Sequence, residues 1–470
     1  MNRRQFLGAG ASALVGGTLA SANAHSPETS QPLPPFPADF RFGAATSCVQ
    51  IEGAAHEDGK GESIWDRFSA KPGAVKDGST PASACDSYHR WEQDLALLKS
   101  IGLQSYRFSI AWPRIQPDGK GPANEKGVGH YSRLIDTLLK AEIQPLVTAY
   151  HWDLPQKLED LGGWPNRETA ERFGDYVRIL ARHLGDRVNW WCLLNEPQAF
   201  TVAGYGWGVH APGYKDRGLM LRAIHTSNLA QGAGCRALKA ERPGAKAGIA
   251  HDMILFDPST ASGADRRACS RFHSFRNLWF LDPAATGKYP AAFESGPPLE
   301  AMGWKSGDED RLRAPLDFSG MNFYGGRSLV SAGDGPALLK GLNARESGQD
   351  SEYAGAMERA CTWMWTRYRR PVVITETGFE EPDVVAPDGK VHDPARIAWL
   401  RTTFADIRRA MLNGADVRSA HVWSLIDDWE WQDGFRDRIG LAYVDFDNPA
   451  HRIPKDSAHW YSGVVRSRRV

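Results

Sequence analysis

Leu193-Leu194-Asn195-Glu196-Pro197 and Val372-Val373-Ile374-Thr375-Glu376-Thr377-Gly378 each carry an apolar, strand-like run directly into a glutamate. Parallel strands buried on both faces read as continuous apolar runs rather than alternating ones. At the C-terminal ends of such strands, side chains open into the site where alternating β/α barrels do their chemistry. The two segments therefore predict a barrel rim with Glu196 and Glu376 as the candidate catalytic pair. Opposed carboxyls on one rim suit cleavage of a glycosidic bond, in which one donates a proton and the other serves as nucleophile or base.

Working outward, eight runs of this kind are spaced along the chain: Phe40 to Ala45, Ser105 to Ile110, Pro145 to Tyr150, Asn189 to Leu194, Ala245 to Ala250, Phe318 to Phe323, Val372 to Thr375 and Ser419 to Trp423. Helix-like stretches lie between them. Asp86 to Ser100 and Arg167 to Leu184 show helical apolar spacing, and Gly102 and Gly185 mark their ends. Strand and helix alternation implies a parallel sheet with right-handed crossovers, and eight units predict closure. The expected fold class is α/β, a single (β/α)8 barrel with elaborated βα loops, spanning residues 36–466. Ser331 to Gly355, rich in Gly, Ser, Asp and Ala, reads as a long surface loop. The terminal Arg466-Ser467-Arg468-Arg469 reads as a solvated tail.

The chain opens Met1-Asn2-Arg3-Arg4-Gln5-Phe6-Leu7, followed by a Gly- and Ala-rich apolar stretch and Ala22-Asn23-Ala24. This resembles a twin-arginine export signal over residues 1–24, with a Pro-rich tether over 25–35, and predicts a periplasmic or secreted protein. An uncleaved anchor is disfavoured because the apolar part is short and poor in large side chains. Acidic and basic residues number 56 each, and loss of Arg3 and Arg4 leaves 54 basic against 56 acidic. That balance favours neither nucleic acid nor an anionic membrane as a partner. The six cysteines show no metal spacing, and a twin-arginine substrate folds before export in a reducing compartment, so isolated thiols are expected.

Polar and aromatic residues collect just past the proposed strands: Gln50 and Glu52; Arg107; His151-Trp152-Asp153; Asn195-Glu196; Asn322 and Tyr324; Glu376; and Trp423 followed by Asp427, Asp428, Glu430 and Trp431. Carboxylates and amides pair with adjacent hydroxyls while indole faces stack on the C–H side of a pyranose, so a pocket of these suits a hexose. No phosphate-cradling or dinucleotide-binding glycine motif opens a helix after a strand. Neither cofactor nor metal is called for. Trp207 and His210 are candidates for the pocket mouth.

These residues sit in F-P-A-D-F-R-F-G-A-A-T-S with Q-I-E-G, D-S-Y-H-R-W-E-Q-D, Y-R-F-S-I-A-W-P-R-I, Y-H-W-D-L-P-Q, L-N-E-P, W-F-L-D-P, N-F-Y, I-T-E-T-G and W-S-L-I-D-D-W-E-W. Taken together, the segments closely resemble glycoside hydrolase family one, the retaining β-glucosidase family, from about Phe36 to Tyr461. The resemblance implies Glu196 as acid/base and Glu376 as nucleophile of an exo-acting β-glucosidase with gluco, fuco or galacto tolerance. It further implies that Gln50, His151, Glu430 and Trp431 hold hydroxyls of the non-reducing sugar, that Asn195 contacts the 2-hydroxyl, and that Trp423 forms the floor. Arg107 and Tyr324 would stand beside the nucleophile and favour its ionised form, and Trp152 and Asn322 join the rim.

Departures concentrate in a few places. Thr377 stands where the family usually has Asn, Leu193 where it has Thr, and Asp428-Trp429 where it has Asn-Phe. Glu352 to Met357 replaces a G-W-x-I-x-P segment that lines the leaving-group site in many relatives. The sugar subsite is thus well specified and the leaving-group subsite poorly so. Three alternatives follow: hydrolysis of 6-phospho-β-glycosides, which Glu430 and Asp428 oppose by charge; transglycosylation; and a non-catalytic sugar-binding protein, which the presence of both glutamates opposes.

Overall fold

A computed structural model describes residues 32–292, 296–332, 344–350 and 354–470; the proposed export signal lies outside them. Eight parallel strands close into a barrel: β1 (Arg41–Ala45), β2 (Ser105–Ser109), β3 (Gln144–Tyr150), β4 (Trp190–Asn195), β5 (Lys246–Asp252), β6 (Ser319–Asn322), β7 (Val372–Thr377) and β8 (Val417–Trp423). Each falls on one of the eight runs read from sequence. Ala45 closes the ring, pairing with Trp423 of β8 and Arg107 of β2. Strands β2, β6 and β7 are buried along their whole length, so even their polar residues face the interior or the helices. Leu146, Cys192, Ala250, Phe318 and Val373 fill the interior, and the outer faces pack against helices.

The helices include α1 (Ser87–Ile101), α2 (Glu125–Lys140), α3 (Glu168–Leu184), α4 (Arg217–Glu241), α5 (Gly263–His273), α6 (Ala356–Tyr368), α7 (Pro394–Leu412) and α8 (Asp456–Ser467). Gly102 ends α1 in the left-handed conformation, φ 84°, with its N–H on Leu98 and Lys99 carbonyls. Met364 of α6 is buried, with Trp363 and Trp365 packed at the edge of the core. All six cysteines are buried free thiols.

Two expectations fail. The stretch read as a surface loop from Ser331 enters regular structure, since Arg327–Ala332 pairs antiparallel with Ala344–Asp350 and parallel with Phe256–Pro258. Main-chain pairing satisfies these backbones whatever side chains they carry, so a Gly- and Ser-rich composition hid it. Residues 333–343 and 351–353 lie outside the described part. The C-terminal arginines are likewise no free tail. The Arg468 guanidinium donates to the carbonyls of Phe36 (3.1 Å) and Phe40 (2.8 Å), and Phe36 N–H donates to Arg468 O at 2.8 Å. The chain's last turn therefore caps the bottom of the barrel against its first strand, and Arg469 extends the tie to Leu33 O at 3.5 Å.

Candidate active site

Register brings the rim residues to one level. Asn322 of β6 pairs with Asp252 of β5 on one side and with Glu376 of β7 on the other. Both catalytic strands lose regular register just before their glutamate: β4 between Cys192 and Asn195, β7 between Ile374 and Glu376. Such irregularities re-aim the following side chains. Three bulky rim residues also adopt left-handed backbone, Trp152 (φ 77°), Glu196 (φ 44°) and Trp431 (φ 51°). Each costs about 1–3 kcal/mol, and the surrounding packing holds it. Gly378 is required by crowding, since a Cβ there would lie 2.1 Å from Trp423 O.

One polar network connects the two glutamates. Arg107, fully buried, donates from Nη1 to Glu376 Oε1 at 2.6 Å and from Nη2 to Asn195 Oδ1 at 2.7 Å. Tyr324 OH donates to the other oxygen of Glu376 at 2.6 Å. Asn322 Nδ2 donates to Glu196 Oε1 (2.7 Å) and to Asn195 Oδ1 (3.0 Å). Glu376 therefore receives a guanidinium and a phenol, charge-assisted donors suited to an anionic nucleophile. Glu196 receives a neutral amide.

The amide orientations follow from this bonding. Asn195 Oδ1 accepts from two donors, so its Nδ2 is the donor in the 3.0 Å contact with His151 Nε2. A neutral His151 then carries its proton on Nδ1. Thr375 Oγ donates to Asn322 Oδ1 at 2.6 Å and turns the Nδ2 of Asn322 toward Glu196. Thr375 is a site residue that sequence reading missed. It stands within I-T-E-T-G but looks like an ordinary strand threonine, and only cross-strand register shows its partner. Ser47, also missed, donates to Gln50 Oε1 at 2.7 Å, and Gln50 Nε2 has no partner among the described residues.

Aromatic rings complete the sugar side. His151 stacks on Trp423 (5.5 Å between centroids) and on Trp431 (5.9 Å). Trp431 also packs on Trp152 at 4.3 Å and Trp65 at 4.7 Å. Trp423 Nε1 donates to Glu430 Oε1 at 3.2 Å. The Trp152 N–H is spent on Asn195 O at 3.0 Å, so Trp152 meets the site through its ring. Gln50, His151, Asn195, Trp423, Glu430 and Trp431 thus gather around the pair, and Trp207 and His210 lie on the β4 side. Trp207 is half-buried, whereas His210 is buried against Trp152 and Trp65.

Other carboxylates grouped with the pocket are committed elsewhere. Glu52 accepts from Arg114 (3.1 Å) and Tyr131 (2.6 Å). Asp153 accepts from Trp112 N–H at 2.8 Å, and burial pushes its carboxyl up to about 7. Asp427 accepts from Lys455 (2.6 Å), Arg438 (2.7 Å) and Gly440 N–H (3.0 Å), a buried ion cluster that anchors the β8 loop. Asp428 is fully buried. Thr377 spends its hydroxyl on Phe323 O at 2.8 Å, so that substitution leaves the hydrogen bonds to Glu376 intact.

Known proteins with this geometry are close at hand. The profile of glycosyl hydrolase family 1 matches residues 33–470. β-Glucosidase A of Thermotoga maritima is 39% identical over 439 residues, covering 92% of this chain and 98% of that protein. A bifunctional β-D-glucosidase/β-D-fucosidase of Bifidobacterium breve is 40% identical over 458 residues, at 92% and 98% coverage. The structure of the Thermotoga maritima β-glucosidase in complex with deoxynojirimycin superposes with a TM-score of 0.86 at 37% identity, covering 93% of this chain and 99% of that one. On a match that takes in every barrel strand and both glutamates, the chain belongs to glycosyl hydrolase family 1.

Proposed function

We propose that the protein is a retaining β-glucosidase that removes terminal non-reducing β-D-glucosyl residues by double displacement. The observation that carries this reading is the shared network: Arg107 touches Glu376 and Asn195 together, and Asn322 touches Asn195 and Glu196 together. Two carboxyls tied through common partners are fixed relative to each other, as the roughly 5–5.5 Å spacing of a retaining pair demands.

In the first step a Glu376 oxygen bonds to the anomeric carbon while the glycosidic C–O bond breaks. The departing oxygen takes the proton from Glu196. In the second step Glu196 takes a proton from water, the water oxygen bonds to the anomeric carbon, and the bond to Glu376 breaks. Two inversions give net retention. Asn195, placed between the pair, is positioned for the 2-hydroxyl, and the unpartnered Gln50 Nε2 for a hydroxyl at the far side of the ring. The 6-phospho alternative loses ground because the buried Glu430 carboxylate, held by Trp423, stands where a dianion would be repelled.

Trapping with 2-deoxy-2-fluoro-glucosyl fluoride and peptide mapping tests the mechanism. Label on Glu376 and a β-anomeric first product are expected; label elsewhere, or inversion, sinks it. Export by the twin-arginine route to the periplasm belongs to the same proposal and is supported by the Arg3-Arg4-Gln5-Phe6-Leu7 leader. Replacing both arginines with lysine should leave activity in the cytoplasmic fraction.

A further inference from the structure

Resting on the β-glucosidase reading, the geometry points to Arg276 as the residue that selects the leaving group, and to a second sugar as the group it selects. Apart from Asn195 at the end of β4, which faces the 2-hydroxyl, the sugar-holding residues come from the ends of β1, β3 and β8, and Glu376 comes from β7. The departing group protonated by Glu196 therefore faces the remaining arc, from β4 through β5 to β6. Arg276 belongs to that arc. It sits in the π-helix Ser274–Leu278 that continues α5, and its guanidinium lies 5.9 Å over the Trp207 ring and 3.7 Å from Asp252 Oδ2. Asp252 is the last residue of β5 and the register neighbour of Asn322, which bonds Glu196. The carbonyl of Asp252 is held by Gln198 Nε2 at 3.1 Å, two residues beyond Glu196.

The donor set defines the ligand. Arg276 is 6% exposed, yet its Nη1 has no hydrogen-bond partner among the described residues. A buried guanidinium nitrogen left in this state costs free energy until something accepts from it. Beside it stand a carboxylate that accepts and an indole face that stacks. Donor, acceptor and ring side by side match adjacent hydroxyls on a pyranose. A flat apolar aglycone would leave the open guanidinium nitrogen without an acceptor. A carboxylated one would meet Asp252.

The test compares specificity constants for a glucosyl disaccharide and a nitrophenyl β-glucoside in the wild-type protein and in Arg276→Met. Aryl glycosides carry a leaving group that departs with little help, so the disaccharide is the more dependent on contacts across this arc. The disaccharide-to-aryl ratio is expected to fall fivefold or more, and the share of glucosyl transferred to an added disaccharide acceptor rather than to water should fall with it. A smaller change in the ratio overturns the inference. So does a carboxyphenyl glucoside that loses more than the disaccharide, which would make the preferred group an anion. Wild-type protein inactive on every glucoside would overturn the underlying reading instead. Arg276→Lys keeps the charge without the planar fork; it is read by the same ratio should the methionine variant not fold.

Discussion

Around the two glutamates, the arc from β1, β3 and β8 keeps its functional side chains within a few residues of a strand end, whereas the arc from β4 through β6 carries two π-helices and a three-stranded sheet inserted beyond its strand ends. Gln50, His151 and Trp423 hang directly from the barrel, and their partners Ser47, Asn195 and Glu430 lie on the same or neighbouring strand ends. Across the pocket, Trp207 and Arg276 are delivered by Val202–Trp207 and Ser274–Leu278, each a π-helical segment spliced onto an α-helix. One arc is set by the barrel's register, the other by insertions. Recognition of the sugar is thereby built into the fold itself, while choice of leaving group is free to vary without disturbing it.

The severest way to break that contrast is to remove the nucleophile. Glu376→Gly should lower turnover by about 10⁴-fold or more, since the covalent step has no substitute. The barrel should survive, because the buried Arg107 keeps its bonds to Asn195 Oδ1 and Thr375 O after losing the carboxylate. Azide, small enough for the vacated space, should restore turnover and yield α-glucosyl azide. A β-product would instead assign the attack to another residue.

A milder cut falls on the strand-borne network. Thr375→Val keeps the shape and deletes the hydroxyl that orients Asn322, leaving a buried amide oxygen without its donor. The cost is about 1–3 kcal/mol. If the amide turns, Glu196 loses its 2.7 Å contact, so kcat should fall about tenfold with little change in KM. An unaltered kcat would show that Asn322 is held by its other bonds alone.

The same contrast explains what was legible in the sequence. All eight strands were readable because double burial enriches them in apolar, β-branched and aromatic residues between polar turns, and Glu196 and Glu376 because each run leads into its glutamate. Glu52, Asp153 and Asp427 stand equally near strand ends, yet Arg114, Trp112 and Lys455 take them out of the pocket. No local pattern separates a carboxylate facing substrate from one pairing with a cation dozens of residues away. Thr375 was hidden for the related reason that its partner lies on another strand. The hairpin of Arg327–Ala332 and Ala344–Asp350 was invisible because backbone pairing, not side-chain periodicity, makes it.

Between the arcs, Glu159 offers a pH probe. It follows β3, and Tyr205 on the π-helix after β4 donates to it, joining the two regions. Burial raises its carboxyl from 4.5 to about 7. The folded protein thus keeps a proton that the unfolded chain releases, and the stability contributed here is full below pH 4.5 and lost as pH rises toward about 7. The amount is of the order of 3 kcal/mol. Glu159→Gln removes the titration while leaving Tyr205 an oxygen to donate to. Its melting temperature relative to wild type should therefore be higher at pH 8 than at pH 4. An offset equal at both pH values would mean that the carboxyl is solvated well enough to ionise freely.

The smallest expected effect sharpens the comparison most, because it acts on the inserted sheet alone. Asp257, in the short strand Phe256–Pro258, receives both arms of Arg359 from α6, at 2.8 and 2.7 Å, with Arg327 at 3.5 Å. The pair pins the sheet that follows Tyr324 to the outer helix layer. Arg359 is two-fifths exposed, so screening and side-chain entropy limit the pair to about 0.5–1 kcal/mol. Arg359→Ala should lower the melting temperature by a degree or two, less in high salt. Because the sugar-holding residues depend on the barrel and not on this sheet, KM for an aryl glucoside should stay within about twofold, while KM for a disaccharide, whose second ring lies toward this side, should rise more. Equal shifts in both would mean that the inserted sheet also supports the sugar arc through Tyr324, and that the two regions are mechanically one.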